Sequence, residues 1–320
     1  MSVAGGVHTA FARAERVDAT ALQIFVKNAN RWEGKPIPPE DARAFADERE
    51  RTGIRPVVAH ASYLINLASP DDALWRRSIG ALVDELERCE SLALDGLVLH
   101  PGSHVGEGEE RGLRRVARGL GEAFRGTRGY RCRVLLETTA GQGTNLGSRF
   151  EHLAVIRGRL REPERAGTCL DTCHVFAAGY DLRTPADVRA TLDRFQEVCG
   201  LDTLGAVHLN DSLKPFESRR DRHAHIGEGE IGRAGFAAFL RDRRLRPVPM
   251  LLETPKGERL REDRRNLELV RELAAGGDPA RRRALPTDDW RRGTLRGQRA
   301  IARARAREKR AQSESASSSS

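Results

Sequence analysis

Nine histidine, aspartate and glutamate side chains have the types and the spacing that bind divalent metal ions. Seven of them lie at or just beyond the ends of six consecutive short apolar segments. A lone imidazole or carboxylate buried at such a place is costly unless it is paired or bound to a metal. Their repetition at six segments therefore predicts a metal site. The seven are His60, His100, Glu137, Asp171, His174, His208 and Glu253.

Two further candidate ligands lie on one loop. Asp221 and His223 are two residues apart, so an extended segment would point both side chains to the same side. His225 continues the alternation and is the weaker candidate, because a histidine there could simply form a cap or a hydrogen bond. The GEGEIG that follows (227–232) resembles a glycine-rich phosphate loop. It does not follow a strand, however, so we do not predict a nucleotide site from it.

The size and chemistry of the set predict more than one ion. A tetrahedral zinc takes about four ligands and a catalytic zinc leaves one position open, so nine ligands fit two or three ions. Imidazole together with carboxylate favours zinc or manganese. Three divalent cations facing four carboxylates would leave a net positive charge, which attracts a phosphodiester. Cys169 and Cys173 flank Asp171, and we interpret both as buried packing residues.

Seven short apolar segments must position these side chains. They are rich in β-branched residues and apolar on both sides, which is typical of strands in a parallel sheet. Helical patterns separate them, and two of these open with Ser69-Pro70 and Thr184-Pro185 as cap and first helical residue. The segments are residues 19–26, 55–61, 95–102, 132–139, 167–174, 204–211 and 247–254.

The alternation of strands and helices predicts a TIM (β/α)8-type barrel, with a doubly wound open sheet as the alternative. In a barrel the carboxyl ends of all strands face one side, where active sites form. The candidate ligands would therefore meet there. Only seven segments are visible where a barrel needs eight, so the predicted barrel lacks one strand.

Charge is unevenly distributed along the chain. The net charge is +9, and the residues from Pro279 onward include 12 basic and 4 acidic ones, whereas the preceding residues are nearly balanced. This Arg/Ser-rich tail has no burial pattern and is predicted to be disordered. It could bind nucleic acid, address a nucleus or be a solvated extension without a specific role. No stretch is apolar enough to span a membrane, and five scattered cysteines indicate a reducing compartment. We expect a cytoplasmic protein, or a nuclear one in a eukaryote.

The motifs around the candidate ligands resemble those of the endonuclease IV family, the zinc-dependent apurinic/apyrimidinic endonucleases of base-excision repair. The resemblance covers residues 1–275 in the same order and implies a TIM barrel for them, with residues 276–320 as the tail. The motifs are HASYLIN (60–66), HPGSH (100–104), ETTAGQG (137–143), DTCHVFAAGYD (171–181), HLNDS (208–212), DRHAHIGEGEIG (221–232) and LLET (251–254).

The resemblance implies three zinc ions, with manganese an alternative in some positions. The implied catalytic residues are Glu137, which would bridge two ions, and Glu253, which we favour as a ligand over a proton acceptor. The implied reaction hydrolyses the phosphodiester 5′ to an abasic site, leaving a 3′-hydroxyl and a 5′-deoxyribose phosphate, and also clears blocked 3′ ends. The implied ligand sets are His60, His100 and Glu137; Glu137, Asp171, His208 and Glu253; and His174, Asp221 and His223.

The implied partner is double-stranded DNA that carries an abasic or 3′-blocked lesion. Tyr63 and Leu64 match family positions that wedge into the minor groove. Asn28, Arg31 and Trp32 lie in KNANRW (27–32), which matches the family's DNA-reading loop. A missing base makes it cheap to extrude the nucleotide from the stack. We expect the protein to act as a monomer, without a membrane partner.

Three features depart from the family pattern. The chain begins after the position of the family's short first strand, which reflects either a start assigned too far downstream, the interpretation we favour, or a less stable barrel. Asn30 replaces the family's arginine, with Arg31 beside it, so a groove contact would be weakened or rearranged. Thr138 replaces an asparagine after Glu137 and cannot supply both hydrogen-bonding sites of an amide.

Two other functions fit parts of the pattern. A sugar isomerase of the same barrel superfamily also gathers carboxylates and histidines at strand ends, but HASYLIN and the Asp221–His223 pair argue against it. An inactive binder of abasic DNA would have little use for nine ligands. An apurinic/apyrimidinic endonuclease is therefore the predicted function.

Overall fold

The seven predicted segments form one parallel sheet. The computed structural model describes residues 1–280. Its strands are β1 (Leu22–Ile24), β2 (Val57–His60), β3 (Gly96–Leu99), β4 (Arg133–Glu137), β5 (Ala166–Asp171), β6 (Leu204–His208), β7 (Asp211–Ser212), β8 (His223–Ala224) and β9 (Met250–Leu251). The sheet order is β1-β2-β3-β4-β5-β6-β9, with every pair parallel. The remaining strands, β7 and β8, pair with each other as a small antiparallel ladder.

This sheet is a nearly closed TIM-type barrel, so the seven-stranded barrel is confirmed and the open doubly wound sheet is wrong. Its strand order follows the chain order throughout, whereas a doubly wound sheet reverses direction near its middle. Within residues 1–280 no strand pairing joins β9 to β1. Near this gap, the Met1 amino group donates a hydrogen bond to the Gln23 carbonyl of β1.

Helices alternate with the strands and cover the outside of the barrel. Thr184 caps one of them as predicted, because its hydroxyl accepts from Asp187 N–H and Pro185 follows as the first helical residue. The predicted Ser69 cap is wrong, since Asp71 accepts from Leu74 N–H at 2.7 Å. The helices are α1 (Thr9–Glu15), α2 (Pro39–Thr52), α3 (Asp72–Ser91), α4 (Glu109–Gly126), α5 (Phe150–Gly158), α6 (Thr172–Ala178), α7 (Pro185–Val198), α8 (Gly232–Arg241) and α9 (Arg261–Ala274).

The barrel interior is filled by one apolar side chain from each of six strands, which we call the interior cluster. Their sequence neighbours, such as Val57 and Ala59, belong to a larger core between the sheet and the helices. Adjacent strand residues face opposite sides, so the strands are buried on both faces as predicted. A Cβ on Gly205 would lie 2.5 Å from Leu135 Cδ2, so this glycine leaves room for the Leu135 side chain. The interior cluster consists of Val58, Val98, Leu135, Cys169, Ala206 and Leu251.

Three further sequence predictions concern the rest of the chain. All five cysteines are buried and free, among them Cys169 and Cys173, which were predicted to be buried packing residues. In the described part of the chain, no helix is both long and apolar enough to cross a membrane. The predicted tail (276–320) lies outside the described residues from residue 281 onward, so its disorder and its separation from the barrel stay predictions.

Candidate metal centre

The predicted ligands at the strand ends follow the interior cluster by two residues. Because side chains alternate along a strand, residues two apart face the same side. Each of these ligands is therefore carried above an apolar interior residue, at the carboxyl end of the barrel. The pairs are Val58 and His60, Val98 and His100, Leu135 and Glu137, Cys169 and Asp171, Ala206 and His208, and Leu251 and Glu253.

Glu137 is the centre of the arrangement, and its side chain is fully buried. Its Oε2 lies 2.8 Å from His100 Nε2 and 3.2 Å from His60 Nε2. Its Oε1 lies 2.8 Å from His208 Nδ1 and 3.4 Å from His174 Nδ1. A carboxylate that turns one oxygen towards each pair of histidines has the geometry needed to bridge two cations.

Two of the implied ligand sets meet around this carboxylate. His208 Nδ1 lies 3.2 Å from Glu253 Oε2 and 3.9 Å from Asp171 Oδ2. One ligand atom from each of these residues and from Glu137 lies within 4.8 Å of the others, and the three residues of the first set meet the same criterion. Glu137 thus belongs to both groups, as the resemblance implies.

The third implied set lies between α6 and β8. His174 Nε2 is 3.2 Å from Asp221 Oδ2, and His223 Nε2 is 3.2 Å from Asp221 Oδ1. His223 Nε2 is buried and, although it lies close to Asp221 Oδ1, it makes no hydrogen bond within residues 1–280. A cation could therefore occupy its lone pair. Cys173 Sγ also lies within 4.8 Å of ligand atoms of Asp221 and His223, which makes this packing residue a further candidate donor.

The ionisable groups of the centre strongly shift one another's pKa values. Burial alone would raise the pKa of Glu137, but the neighbouring His208 and His100 hold it well below its usual value. Burial alone would lower the pKa of His174, but Asp171 and Asp221 raise it well above its usual value. Without metal, protons would therefore occupy histidine nitrogens that a cation needs, and the two compete.

Gln23 holds two of the candidate ligands and was missed by sequence reasoning. Its Nε2 donates to Glu253 Oε1 at 2.7 Å, and its Oε1 lies 2.8 Å from His208 Nε2. A His208 Nε2–H that donates to this oxygen leaves Nδ1, the atom nearest the carboxylates, as the ligand atom. Gln23 follows Ala21 by two residues, and Ala21 packs against the interior cluster. The same alternation that places the ligands could have identified it.

Asn210 and Thr138 support the same ligands from neighbouring strand ends. Asn210 donates to Asp171 Oδ2 at 2.7 Å and accepts from the Glu253 N–H at 2.8 Å. The Thr138 hydroxyl accepts from the Asp171 N–H at 2.9 Å, and its carbonyl lies 2.8 Å from His174 Nδ1. The residue that departs from the family pattern therefore contacts two candidate ligands directly.

The structure leaves His225 and the GEGEIG loop outside the centre. His225 Nδ1 accepts from Asn266 Nδ2 at 3.0 Å. The loop surrounds the buried Asp211 carboxylate, which accepts from Gly229 N–H at 3.0 Å and Ile231 N–H at 3.0 Å. These amide donors bind an internal carboxylate rather than facing a ligand, so the phosphate-loop interpretation stays rejected.

The residues predicted to touch DNA lie in two segments, of which the one with Tyr63 borders the centre. Tyr63 is 59% exposed, although its ring centroid lies 5.2 Å from that of His60. Leu64 is half-buried beside it, while Asn28 and Arg31 are exposed. A cavity of about 210 Å³ is lined by Tyr63, by the candidate ligands His60 and His100, and by Asn66 and Asn145.

Trp32 is half-buried and, unlike the other predicted DNA contacts, packs against the core. The guanidinium of Arg77 lies 4.5 Å from the centroid of its ring. Trp32 thus anchors the 27–32 segment to the core.

Comparison with known proteins shows the family of the chain. A family model described as a xylose isomerase-like TIM barrel matches residues 11–273. The probable endonuclease 4 of Chloroflexus aurantiacus is 52% identical over 278 residues, which cover 87% of this chain and 98% of the relative. The crystal structure of endonuclease IV from Thermus thermophilus superposes with a TM-score of 0.75 at 38% identity and covers 84% of this chain and 94% of that one.

A likeness to sugar epimerases is limited to the fold. A D-tagatose 3-epimerase-like protein superposes with a TM-score of 0.62 at 20% identity, covering 80% of this chain and 90% of its own. The closer sequence likeness lies with the endonucleases, which argues against the sugar isomerase alternative. The chain therefore belongs to the endonuclease IV family and is an apurinic/apyrimidinic endonuclease of DNA repair.

Proposed function

We propose that this endonuclease holds three zinc ions and cuts the phosphodiester on the 5′ side of an abasic site. The products would be a 3′-hydroxyl and a 5′-deoxyribose phosphate, and the same site would clear blocked 3′ ends. The observation that carries the proposal is the buried Glu137 carboxylate, which touches four histidines from different strand ends. Such a convergence of imidazole and carboxylate fits zinc, with manganese an alternative in some positions.

Contacts between the side chains support the proposed ligand sets. Glu137 would link the first two sets, and Asp221, whose carboxylate oxygens lie 3.2 Å from His174 Nε2 and 3.2 Å from His223 Nε2, would complete the third. The Glu253 carboxylate accepts a hydrogen bond from Gln23, and the Glu253 backbone N–H donates to Asn210 Oδ1, which suits a fixed ligand better than a mobile proton acceptor. Zinc bound here would lower the pKa of water to about 7 and neutralise charge that develops on the phosphodiester.

The chain's own residues would orient the DNA and exclude water. We propose that Tyr63 and Leu64 insert at the lesion while Asn28, Arg31 and Trp32 contact the strand beside it. The exposed Tyr63 ring lies next to His60 of the first set, so an insertion there would deliver the lesion to the centre. The cost of unstacking is a few kcal/mol per step, and it is lowest where the base is already missing.

Cleavage of a defined duplex tests the proposal. The substrate is a labelled duplex with one tetrahydrofuran abasic analogue, and we expect a single nick on its 5′ side whose 3′ end a DNA polymerase extends. The nick should disappear after zinc is stripped and return when zinc is restored. A duplex that is bound but uncut would instead indicate an inactive binder, and a nick on the 3′ side would contradict the proposed products.

Metal content tests the three ligand sets independently of cleavage. We expect three zinc ions per chain and a monomer by light scattering. His223→Ala should lower the zinc content by one ion. The control is His225→Gln, two residues further on, which should lower it by none because His225 contacts Asn266 rather than the centre. An equal loss in both variants would contradict the third set.

A further inference from the structure

We propose that Glu85, a buried residue of α3, is a positioning residue that makes the 27–32 and 62–64 segments act on DNA as one unit. The inference rests on the proposed function, in which these two segments hold the DNA contacts. Glu85 lies outside the metal centre. Its side chain is 1% exposed although it is a carboxylate, so its charge must be balanced from within the fold.

Both segments are attached to the Glu85 carboxylate. Ser62 N–H, at the start of the 62–64 segment, lies 3.2 Å from Oε1 and 3.2 Å from Oε2. The Lys27 ammonium, at the start of the 27–32 segment, lies 3.4 Å from Oε1. One carboxylate on the helix thus fixes the first residue of each segment.

A second set of contacts joins the segments to each other. The Ser62 hydroxyl donates to the Ala29 carbonyl at 2.7 Å and accepts from Leu64 N–H at 3.2 Å. The Lys27 ammonium donates to the Trp32 carbonyl at 3.0 Å, which closes the 27–32 segment on itself. A displacement of either segment must therefore break a hydrogen bond to the other or to α3.

The neighbouring Asp84 provides a natural contrast. It accepts from Lys27 at 2.8 Å and from Arg88 at 3.0 Å, and Arg88 donates to the carbonyls of Gly34 and Lys35. Asp84 thus stabilises the 27–35 stretch without a contact to the 62–64 segment, and its side chain is 36% exposed. Glu85 is distinguished from it by holding both segments at once.

The connection between the segments matters because unstacking the DNA bases costs free energy. A mobile segment would make contacts too weak to compensate for that cost. A wedge such as Tyr63 can hold a kinked duplex only if its own position is fixed relative to the DNA contacts of the 27–32 segment. Loss of Glu85 should therefore weaken binding of a fully stacked substrate, while a substrate that is already unstacked should be affected less. A residue needed only for folding would reduce cleavage of both substrates alike.

The test compares Glu85→Gln with Asp84→Asn on two duplexes. One duplex carries tetrahydrofuran among paired bases, and in the other the pairs flanking the lesion are mismatched. For Glu85→Gln we expect KM to rise about tenfold on the paired duplex, which corresponds to the loss of one hydrogen bond to a charged group. The rise should be about threefold or less on the mismatched duplex, with kcat and zinc content unchanged. Asp84→Asn should change the two KM values by similar, smaller factors.

Ser62→Ala keeps every charge and removes only the hydroxyl that joins the segments, so it tests the proposal even if Glu85→Gln folds poorly. We expect the same preference for the mismatched duplex. Equal losses on both duplexes for Glu85→Gln and Ser62→Ala, or an Asp84→Asn profile identical to that of Glu85→Gln, would overturn the inference. Failure of the unaltered enzyme to cut either duplex would instead refute the proposed function.

Discussion

Replacement of Gln23 by leucine tests whether the hydrogen bonds behind the ligands set metal affinity. Leucine has a similar volume but no polar atoms, so the change removes the donor to Glu253 and the acceptor next to His208 Nε2. His208 is fully buried, so its Nε2–H would lose its partner in a place that water does not reach. The ring could then rotate or change tautomer, and Nδ1 would no longer be held towards Glu137.

The size of the effect follows from these two contacts. A hydrogen bond to a charged or strongly polarised group contributes about 1.5–3 kcal/mol, and a buried donor without a partner costs about 1–3 kcal/mol. Either value corresponds to a loss of about 10- to 100-fold, which is also the usual effect of removing the partner of a metal ligand. We therefore expect the zinc affinity of Gln23→Leu to be about 10- to 100-fold lower than that of the unaltered protein.

Competition with a zinc chelator measures this affinity directly, and metal analysis counts the ions retained. The matched control is Gln196→Leu in α7, where the glutamine oxygen accepts from Leu201 N–H instead. We expect the control to retain its zinc, whereas Gln23→Leu should lose zinc at lower chelator concentration. Equal zinc retention in the two variants would refute the argument that Gln23 fixes the ligands.

Four other outcomes are expected. Glu137→Gln should abolish cleavage while most fold stability remains, and unaltered turnover in a variant of measured metal content would contradict the bridging role. Gly205→Ala should lower the free energy of unfolding by about 1–3 kcal/mol, because its Cβ would lie 2.5 Å from Cδ2 of the buried Leu135 side chain; denaturant unfolding at fixed zinc measures it. Deletion of residues 279–320 should leave incision intact but flatten the salt dependence of DNA affinity, and an unchanged slope would mean that the tail does not touch DNA. Zinc binding to metal-free protein at pH 7 should release protons, because Asp171 and Asp221 raise the pKa of His174 well above its usual value even though burial lowers it; heats measured in buffers of different ionisation enthalpy detect the release.

The barrel and the main ligands were predictable because both depend on short-range patterns. Runs such as VLLE and GTCLD are apolar on consecutive residues, which indicates burial on both faces, and each ends in a polar side chain. If the strands are parallel and form a barrel, their carboxyl ends lie on the same side of it. The positions of His60 and Glu137 at strand ends therefore predict that they lie close together, whatever the loops between them do.

Interactions that depend on the direction of a helix or loop were not predictable in this way. Glu85 and Lys27 are far apart in the sequence and carry the charged groups that usually mark a solvated surface. A signal was nevertheless present, since Glu85 stands between Leu82 and Leu86 on the buried side of α3. A charge among buried positions indicates an internal partner, but the sequence does not say which of many basic residues it is.

The two-residue offset between the interior cluster and the ligands links fold stability to chemistry. The apolar side chains that fill the barrel are also the floor of the metal centre, so water is excluded beneath Glu137 and the attraction between its carboxylate and nearby cations is weakly screened. In β1 the same two-residue offset leads from Ala21 to Gln23, a neutral residue. β1 is the strand of the described sheet whose end carries no candidate ligand. A charged residue there would add to a site already crowded with carboxylates and histidines, whereas an amide can donate to Glu253 and accept from His208 at once. The strand bordering the gap thus contributes the hydrogen bonds that orient the ligands of its neighbours.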